Sequence, residues 1–518
     1  MGLIPYFIFR MGKFLFFNWF LSLNNEGLIV YFYLLSAELD SAVMKVSPLV
    51  VRLSGCYFPL QRVNAMRIKP LGVLLASVLP LLSHAADIGV ARYNVSFPDG
   101  DRVGYSGAFA SQFPNGLPVG IGSGLVFNGQ EGGDLLLTTV TDRGPNADAP
   151  AVGKQEAKIF ANPAFIPLLM EIRIGGGKAI ATQARPLHDD NGPVSGLPLP
   201  GNLIGSTNEV ALTDTLKPLA SDKRGLDTEG ITPDGKGGYW LCDEYGPFLI
   251  HIDGQGKILA KYGPTPLAGE QAVASGLPNI IKWRQPNRGF EGVTRLPDGR
   301  ILAAVQSTLD IDGKSKNQAQ FTRLVSFDPA SGKTAMYGYP IDIARYQKAK
   351  DAKIGDIVAV DNQHILLIEQ GSDKDKQMMN KIYLVDLSQA SDLTSFDGQG
   401  KALEFADTSE LAKRGVKLAQ KREVVDLRKL GWQQEKVEGL ALIDNRTLAV
   451  INDNDFGLQA KLVNAEPEGK KIGDYQLDQQ GKLSLAGKPV NTTIELRPLV
   501  QPESLSELWV LTLPEPLR

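Results

Sequence analysis

The chain has 518 residues, 43% hydrophobic and 21% charged, with 54 Lys and Arg against 57 Asp and Glu. Those proportions describe a soluble chain with a substantial core, and they exclude a protein drawn to nucleic acid or to an anionic membrane by its overall charge. Two cysteines and four histidines in all leave little material for zinc centres or for a disulfide framework.

Residues 1–65 are rich in Phe, Leu and Tyr and are interrupted by Arg10, Lys13, Asn24, Asn25 and Glu26. They contain no clean 18-residue apolar run of the kind a spanning helix needs. Met66-Arg67-Ile68-Lys69 then supplies a basic start, Leu71 to Leu82 an apolar stretch, and Ser83-His84-Ala85 small residues at positions −3 and −1 of a cleavage site. This layout predicts a signal peptide over 66–85, cleaved after Ala85, and a periplasmic or secreted product. It also predicts a true start at Met66, with residues 1–65 a gene-model extension outside the fold; the rival is an N-terminal membrane anchor. The mature chain is expected to be a monomer without a membrane span.

From Ala86 onward 47 basic residues face 54 acidic ones, and Cys242, His188, His251 and His364 are the only residues of their types. No HExxH, CxxC, GxSxG or RHGxRxP pattern occurs, so the usual zinc, serine and phosphohistidine chemistries lack their residues. What remains is carboxylates, a few cations, and whatever they bind. The three histidines are read as structural or surface residues.

An internal repeat organises the rest. Thr228-Glu-Gly-Ile leads to Pro233-Asp-Gly and then Tyr239-Trp-Leu-Cys-Asp-Glu. Phe290-Glu-Gly-Val leads to Pro297-Asp-Gly and a run ending at Gln306. Gly355-Asp-Ile-Val leads to Asp361-Asn and a run ending at Glu369, and Val437-Glu-Gly-Leu leads to Asp444-Asn and a run ending in Asn452-Asp453. Ser123-Gly-Leu-Val through Gly133-Asp to Asp142 is a fifth copy with a changed first acid. Each reads as strand, tight Asp-Gly or Asp-Asn turn, and returning strand, because Gly and Asn suit positive φ. With third strands such as Phe248–Ile252 and Phe321–Phe327, the pattern predicts an all-β fold, a β-propeller of about six blades (six or seven) with long decorating loops. Segment 143–227 is expected to hold a further blade or a lid, and Ile88–Phe97 with Glu507–Leu513 to close the ring. Two packed sandwich domains are the alternative.

A hairpin brings the start of its first strand beside the end of its second. Glu229, Glu291 and Glu438 therefore share one rim with Asp142, Asp243, Glu244, Glu369, Asp453 and Asp455, and Gln306 takes the closing place in its copy. Clustered carboxylates repel and are costly to desolvate, and a hard cation relieves both penalties. Calcium takes six to eight oxygen ligands of this kind, so calcium is the expected cofactor; Asp453-Asn454-Asp455 offers ligands without the rest of an EF-hand. Asp234 and Asp298 are read as turn residues only. Arg143, Arg288 and Lys436 stand beside the acids, either to compensate their charge or to grip an anionic substrate.

The runs TDRGPN (141–146), LDTEGI with WLCDEYGPFL (226–249), GFEGVT with PDGR (289–300) and KVEGLALIDN with NDNDFG (436–457) resemble the phytase-like family, labelled "esterase-like activity of phytase" and related in architecture to β-propeller phytases. The resemblance implies a calcium-dependent phosphoesterase without a protein nucleophile, acting on a small phosphoester through metal-activated water. It implies catalytic roles for Arg143, Glu229, Asp243, Glu244 and Lys436, with metal ligands drawn from Asp142, Glu229, Asp243, Glu291, Glu369, Glu438, Asp453 and Asp455. A calcium-dependent carboxylic ester or lactone hydrolase, and a non-catalytic scaffold propeller, are the alternatives.

Overall fold

The structure is a computed structural model that describes residues 87–518 apart from 99–101, 204, 267–272, 470 and 479, together with the backbone of four N-terminal strands. Those strands, Tyr6–Arg10, Lys13–Asn24, Gly27–Glu38 and Lys45–Arg52, pair in order within a separate unit, Met1–Leu82. The expected signal peptide and the expected start at Met66 lie outside the described residues. Among the described residues no helix is long and apolar enough to cross a membrane.

Among the described residues, the regular structure of the unit from Ser83 to Arg518 is almost all strand, with one short α-helix, Thr408–Lys413. Blade 1 comprises Leu125–Glu131, Asp134–Val140, Leu168–Gly175 and Lys178–Pro186; blade 2 comprises Thr228–Pro233, Tyr239–Asp243, Phe248–Ile252 and Ile258–Gly263. Phe290–Arg295, Ile301–Val305, Phe321–Phe327 and Thr334–Pro340 form blade 3, and Lys353–Ala359, His364–Ser372, Met378–Asp386 and Gln420–Asp426 form blade 4. Blade 5 closes the ring as expected: Gly439–Asp444 and Thr447–Ile451 are followed by Glu507–Thr512, which pairs antiparallel with Gly89–Ser96 from Glu507↔Asn94 to Thr512↔Gly89. The five first strands touch one another in cyclic order, and each blade-to-blade seam is filled by one of five apolar clusters. The second strands of blades 2 to 5 are covered on both faces, so they carry nearly continuous apolar runs, Trp240–Cys242, Ile301–Val305, Ile365–Ile368 and Leu448–Ile451.

The propeller thus has five blades among the described residues, not six or seven. Segment 143–227 holds no further blade, because its strongest strand signal is the outer strand of blade 1. The rest is loop with short strands, of which Asn146–Asp148, Ala157–Phe160 and Val210–Leu212 pair among themselves. Long excursions after the second strand of blades 1 and 5 leave from the same end of the ring. They meet there, Ala151–Val152 pairing parallel with Tyr475–Leu477, and form a cap beside the channel mouth.

Five blades make a narrow channel, and this gives the glycine of each Glu-Gly pair its reason. A Cβ on Gly230 would lie 3.0 Å from Val293 N, one on Gly292 2.7 Å from Ile357 N, and one on Gly439 2.9 Å from Leu125 Cβ; Gly124, after Ser123 in blade 1, is held as closely, 2.8 Å from Gly230 Cα. Blade 4 reverses the pair to Gly355-Asp356, and the fully buried Asp356 fills the space the glycines leave. Its Oδ2 accepts from Leu440 N at 2.8 Å and its Oδ1 from Ile357 N at 2.7 Å, and Leu125 N–H reaches it from blade 1. Asp356→Ala would orphan buried N–H groups on three inner strands, at about 1–3 kcal/mol each. A clear fall in Tm is expected by thermal denaturation, and an unchanged Tm would refute this bracing.

Candidate metal centre

Register decides which acids meet. In blade 2, Thr228 pairs with Asp243 and Gly230 with Cys242, so Glu229 is the extra residue of a bulge. Glu291 occupies the same place between Phe290↔Val305 and Gly292↔Ala304. A bulge bends its strand and re-aims the extra side chain, and here it sends both glutamates to the mouth. Glu438 precedes Gly439, whose partner is Ile451, and its own N–H donates to Ile451 O at 3.1 Å. Glu229, Glu291 and Glu438, all buried, bring one carboxylate oxygen each to within 4.8 Å of one another. A second buried triad, Asp142, Asp227 and Glu229, meets the same limit. Glu229 is common to both.

Glu244 and Gln306 stand one residue past their ladders, and Gln306 Nε2 donates to Glu244 Oε1 at 2.8 Å. Asp243, one residue earlier, faces the other way. Its oxygens accept from Asp227 N at 3.1 Å and Gly246 N at 2.9 Å, and it is wholly buried. It braces the Asp227 backbone instead of joining either triad. Glu369 corrects the sequence expectation more sharply. It lies in the ladder opposite Ile354, the place Asp243 holds in blade 2, and its oxygens accept from Tyr339 and Tyr346 hydroxyls at 2.6 and 2.8 Å while pairing with Lys421. It belongs to a closed polar cluster between blades 3 and 4. The residue past it, Gln370, takes the mouth-facing place, because strand side chains alternate with a period of two.

Asp453 Oδ1 accepts from Asp455 N at 2.9 Å, and both carboxylates pair with Lys436, whose Nζ lies 3.2 Å from Asp453, 2.9 Å from Asp455 and 3.5 Å from Glu438. Asp455 stands at the exposed rim. Arg143 is buried and held from many sides. Its Nη1 donates to Glu209 Oε1 at 3.2 Å, Asn287 Oδ1 at 3.1 Å and the Tyr245 hydroxyl at 3.4 Å, its Nη2 reaches Asn146 Oδ1 at 3.4 Å, and its Nε lies 3.6 Å from Asp227 Oδ2.

Two members of the centre were not foreseen. Asp227 lies in the LDTEGI run, two residues before Glu229, the offset that also separates Lys436 from Glu438. Glu209 arrives from the 143–227 excursion to meet Arg143 and carries no motif at all.

The electrostatics are those of a site short of positive charge. Burial, then the charges of Asp227 and Glu291, hold Glu229 well above the ordinary carboxylate range; burial and then Glu244 do the same to Glu291, and burial, Asp453 and Asp227 to Asp142. Burial pushes Glu244 up to about 8, and Glu438 and Asp243 up to about 7 against the pull of Lys436 and Lys261 respectively. Glu291 Oε2 and Asp227 Oδ2 are buried without a hydrogen bond. Buried acceptors are rarely left so, and the donor set around them is oxygen only, with no histidine in either triad. These residues fit a hard divalent cation. Beside Glu438 opens a cavity of about 330 Å³ whose lining includes the cations Arg288, Lys353, Lys376 and Lys436, the acids Asp351, Asp373 and Glu435, and Gln370.

A ring of five blades, each built on four antiparallel strands, with a buried carboxylate centre at one mouth defines the class. Residues 118–456 match the model of the Phytase-like family, described as "Esterase-like activity of phytase", and the chain belongs to this family. Membership supports a phytase- or esterase-like hydrolase. An "Uncharacterized secreted protein" of Arthroderma benhamiae (strain ATCC MYA-4681 / CBS 112371) is 30% identical over 131 residues, which is 22% of this chain and a quarter (25%) of that protein's length. Among solved structures, the virginiamycin B lyase from Staphylococcus aureus aligns over 82% of this chain and 100% of its own at 10% identity, with a TM-score of 0.26. That similarity is too loose to bear on the site.

Proposed function

We propose that this protein is an exported, calcium-dependent hydrolase of small phosphoesters. The observation that carries the reading is Glu229, shared between two buried carboxylate triads beside a cavity whose lining sets four basic side chains among four acidic ones. The two triads would hold calcium, with Glu244 and Asp453 at their edge. When bound, such an ion polarises a phosphoryl oxygen and makes its water a usable nucleophile near neutral pH. The protein's own residues then have separate tasks. Arg143 fixes Asp227 and balances the charge of the centre, Asp243 holds the Asp227 backbone in place, and Lys436 balances Asp453, Asp455 and Glu438 at the rim. Deep burial of Glu229 and Glu291 excludes water and makes each electrostatic contact count for more. Export is favoured by the signal-like segment at 66–85 and by the similarity to the Arthroderma protein, which is described as secreted.

The family's description as esterase-like favours one second reading, hydrolysis of carboxylic esters or lactones at the same centre. Assays of the purified protein on p-nitrophenyl phosphate and p-nitrophenyl acetate, each with calcium and with a chelator, separate the two. Phosphate release that needs calcium is the expected result. Calcium-dependent acetate release alone would transfer the activity to the ester reading, and no turnover of either ester by folded, calcium-bound protein would leave only a scaffold.

A further inference from the structure

We propose that Lys353 is the residue that binds the anionic group of the substrate and so sets the specificity of the centre; this rests on the phosphoester reading and deepens it. Three other cations at the mouth are already engaged, and Lys376, which also lines the cavity without an ion pair among the described residues, is not among the charges that act most on Glu244, Glu291 and Glu438, as Lys353 is. Arg143 is held by Glu209, Asn287, Tyr245 and Asn146 and lies against Asp227. Lys436 is divided among Asp453, Asp455 and Glu438, and Arg288 donates to the Lys350 carbonyl at 2.5 Å. Lys353 makes no ion pair or side-chain hydrogen bond among the described residues.

Its position suits the task. Lys353 opens the inner strand of blade 4, paired with Gln370, and both line the 330 Å³ cavity that borders Glu438. It stands two residues before the mouth-facing position of its blade, as Lys436 and Asp227 do in theirs. Its charge reaches the centre, favouring the ionised forms of Glu244, Glu291 and Glu438. Blade 4 contributes no carboxylate to either triad, so a phosphoryl group entering there meets an ammonium on one side and the acid-held cation on the other. A point charge with three donors on a flexible stem suits a tetrahedral oxyanion, whereas a neutral ester gains little from it.

Binding of inorganic phosphate to the full chain at saturating calcium, followed by calorimetry, is the test, with calcium affinity measured in parallel. Lys353→Met is expected to weaken phosphate ~10-fold or more, the scale of one charge-assisted hydrogen bond, while Lys353→Arg stays within ~3-fold of wild type and calcium affinity is unchanged in both. Phosphate affinity that is absent in wild type, unaltered in Lys353→Met, or lost together with calcium would overturn the assignment. Lys353-dependent phosphate binding without phosphoester turnover would support it while removing the hydrolase reading. Turnover with an unchanged KM in Lys353→Met would do the reverse.

Discussion

Glu229→Gln is expected to remove calcium from both triads and to lower kcat/KM for a phosphomonoester by ~10³-fold, the scale of losing a principal source of transition-state charge stabilisation. No other acid has this reach, because Glu229 alone belongs to both groups. The substitution keeps shape and volume, so the fold should survive. It also relieves repulsion: Glu229 faces Asp227, Glu291, Glu244 and Glu438, and removing its charge should raise the Tm of the chelated protein. Loss of function with gain of metal-free stability marks a site whose geometry is kept for its ligand. Glu369→Gln is the matched control. It breaks a buried pair with Lys421 and should cost about 3–5 kcal/mol of stability, read as a lower Tm, with calcium affinity unchanged. If Glu229→Gln retains calcium and activity, the shared-ligand account fails.

The second large effect is the dependence of stability on pH in the absence of calcium. Glu244, Glu438 and Asp243 titrate in the fold at about 8, 7 and 7, against unfolded values near 4.5, 4.5 and 3.8. Below about pH 4 both states are protonated and these groups cost nothing. As pH rises, the unfolded chain ionises freely while the fold must hold its protons or bury charge, so the stability present below pH 4 is lost progressively up to about pH 8. Calcium held by the triads would remove that loss by stabilising the ionised carboxylates. Addition of calcium at ~1,000 times its Kd is worth about 4 kcal/mol, a rise in Tm of about 4–5 °C for a domain this large. Differential scanning calorimetry should show that rise at pH 8 and little of it at pH 5. An equal rise at both would place calcium away from these acids.

Much of this was legible in the chain. The Asp-Gly and Asp-Asn turns carry their own φ preferences, so the strand pairs appear without a structure, and the terminal β-rich runs meet as expected. Glu229, Glu291 and Glu438 were legible because repetition singled them out. Blade number was not, because the third and fourth strands of blades 1, 4 and 5 are separated from their partners by long excursions that resemble independent units. Glu369 failed for a reason of one residue: an acid in the last ladder position points away from the mouth, and the next residue is Gln370. Asp227 and Lys353 share the position two residues before the mouth, a signal visible only once the blades are in register. Blade 4 hid it further, because Gly355-Asp356 reverses the Glu-Gly order and turns its acid into an axial brace.

Metal analysis of the purified protein, coupled to calcium titration of wild type and Glu229→Gln, addresses the central claim most directly. The account predicts bound calcium in the wild type that a chelator removes and that Glu229→Gln cannot recover. Zinc in its place, no metal at all, or calcium retained undiminished by Glu229→Gln would contradict it.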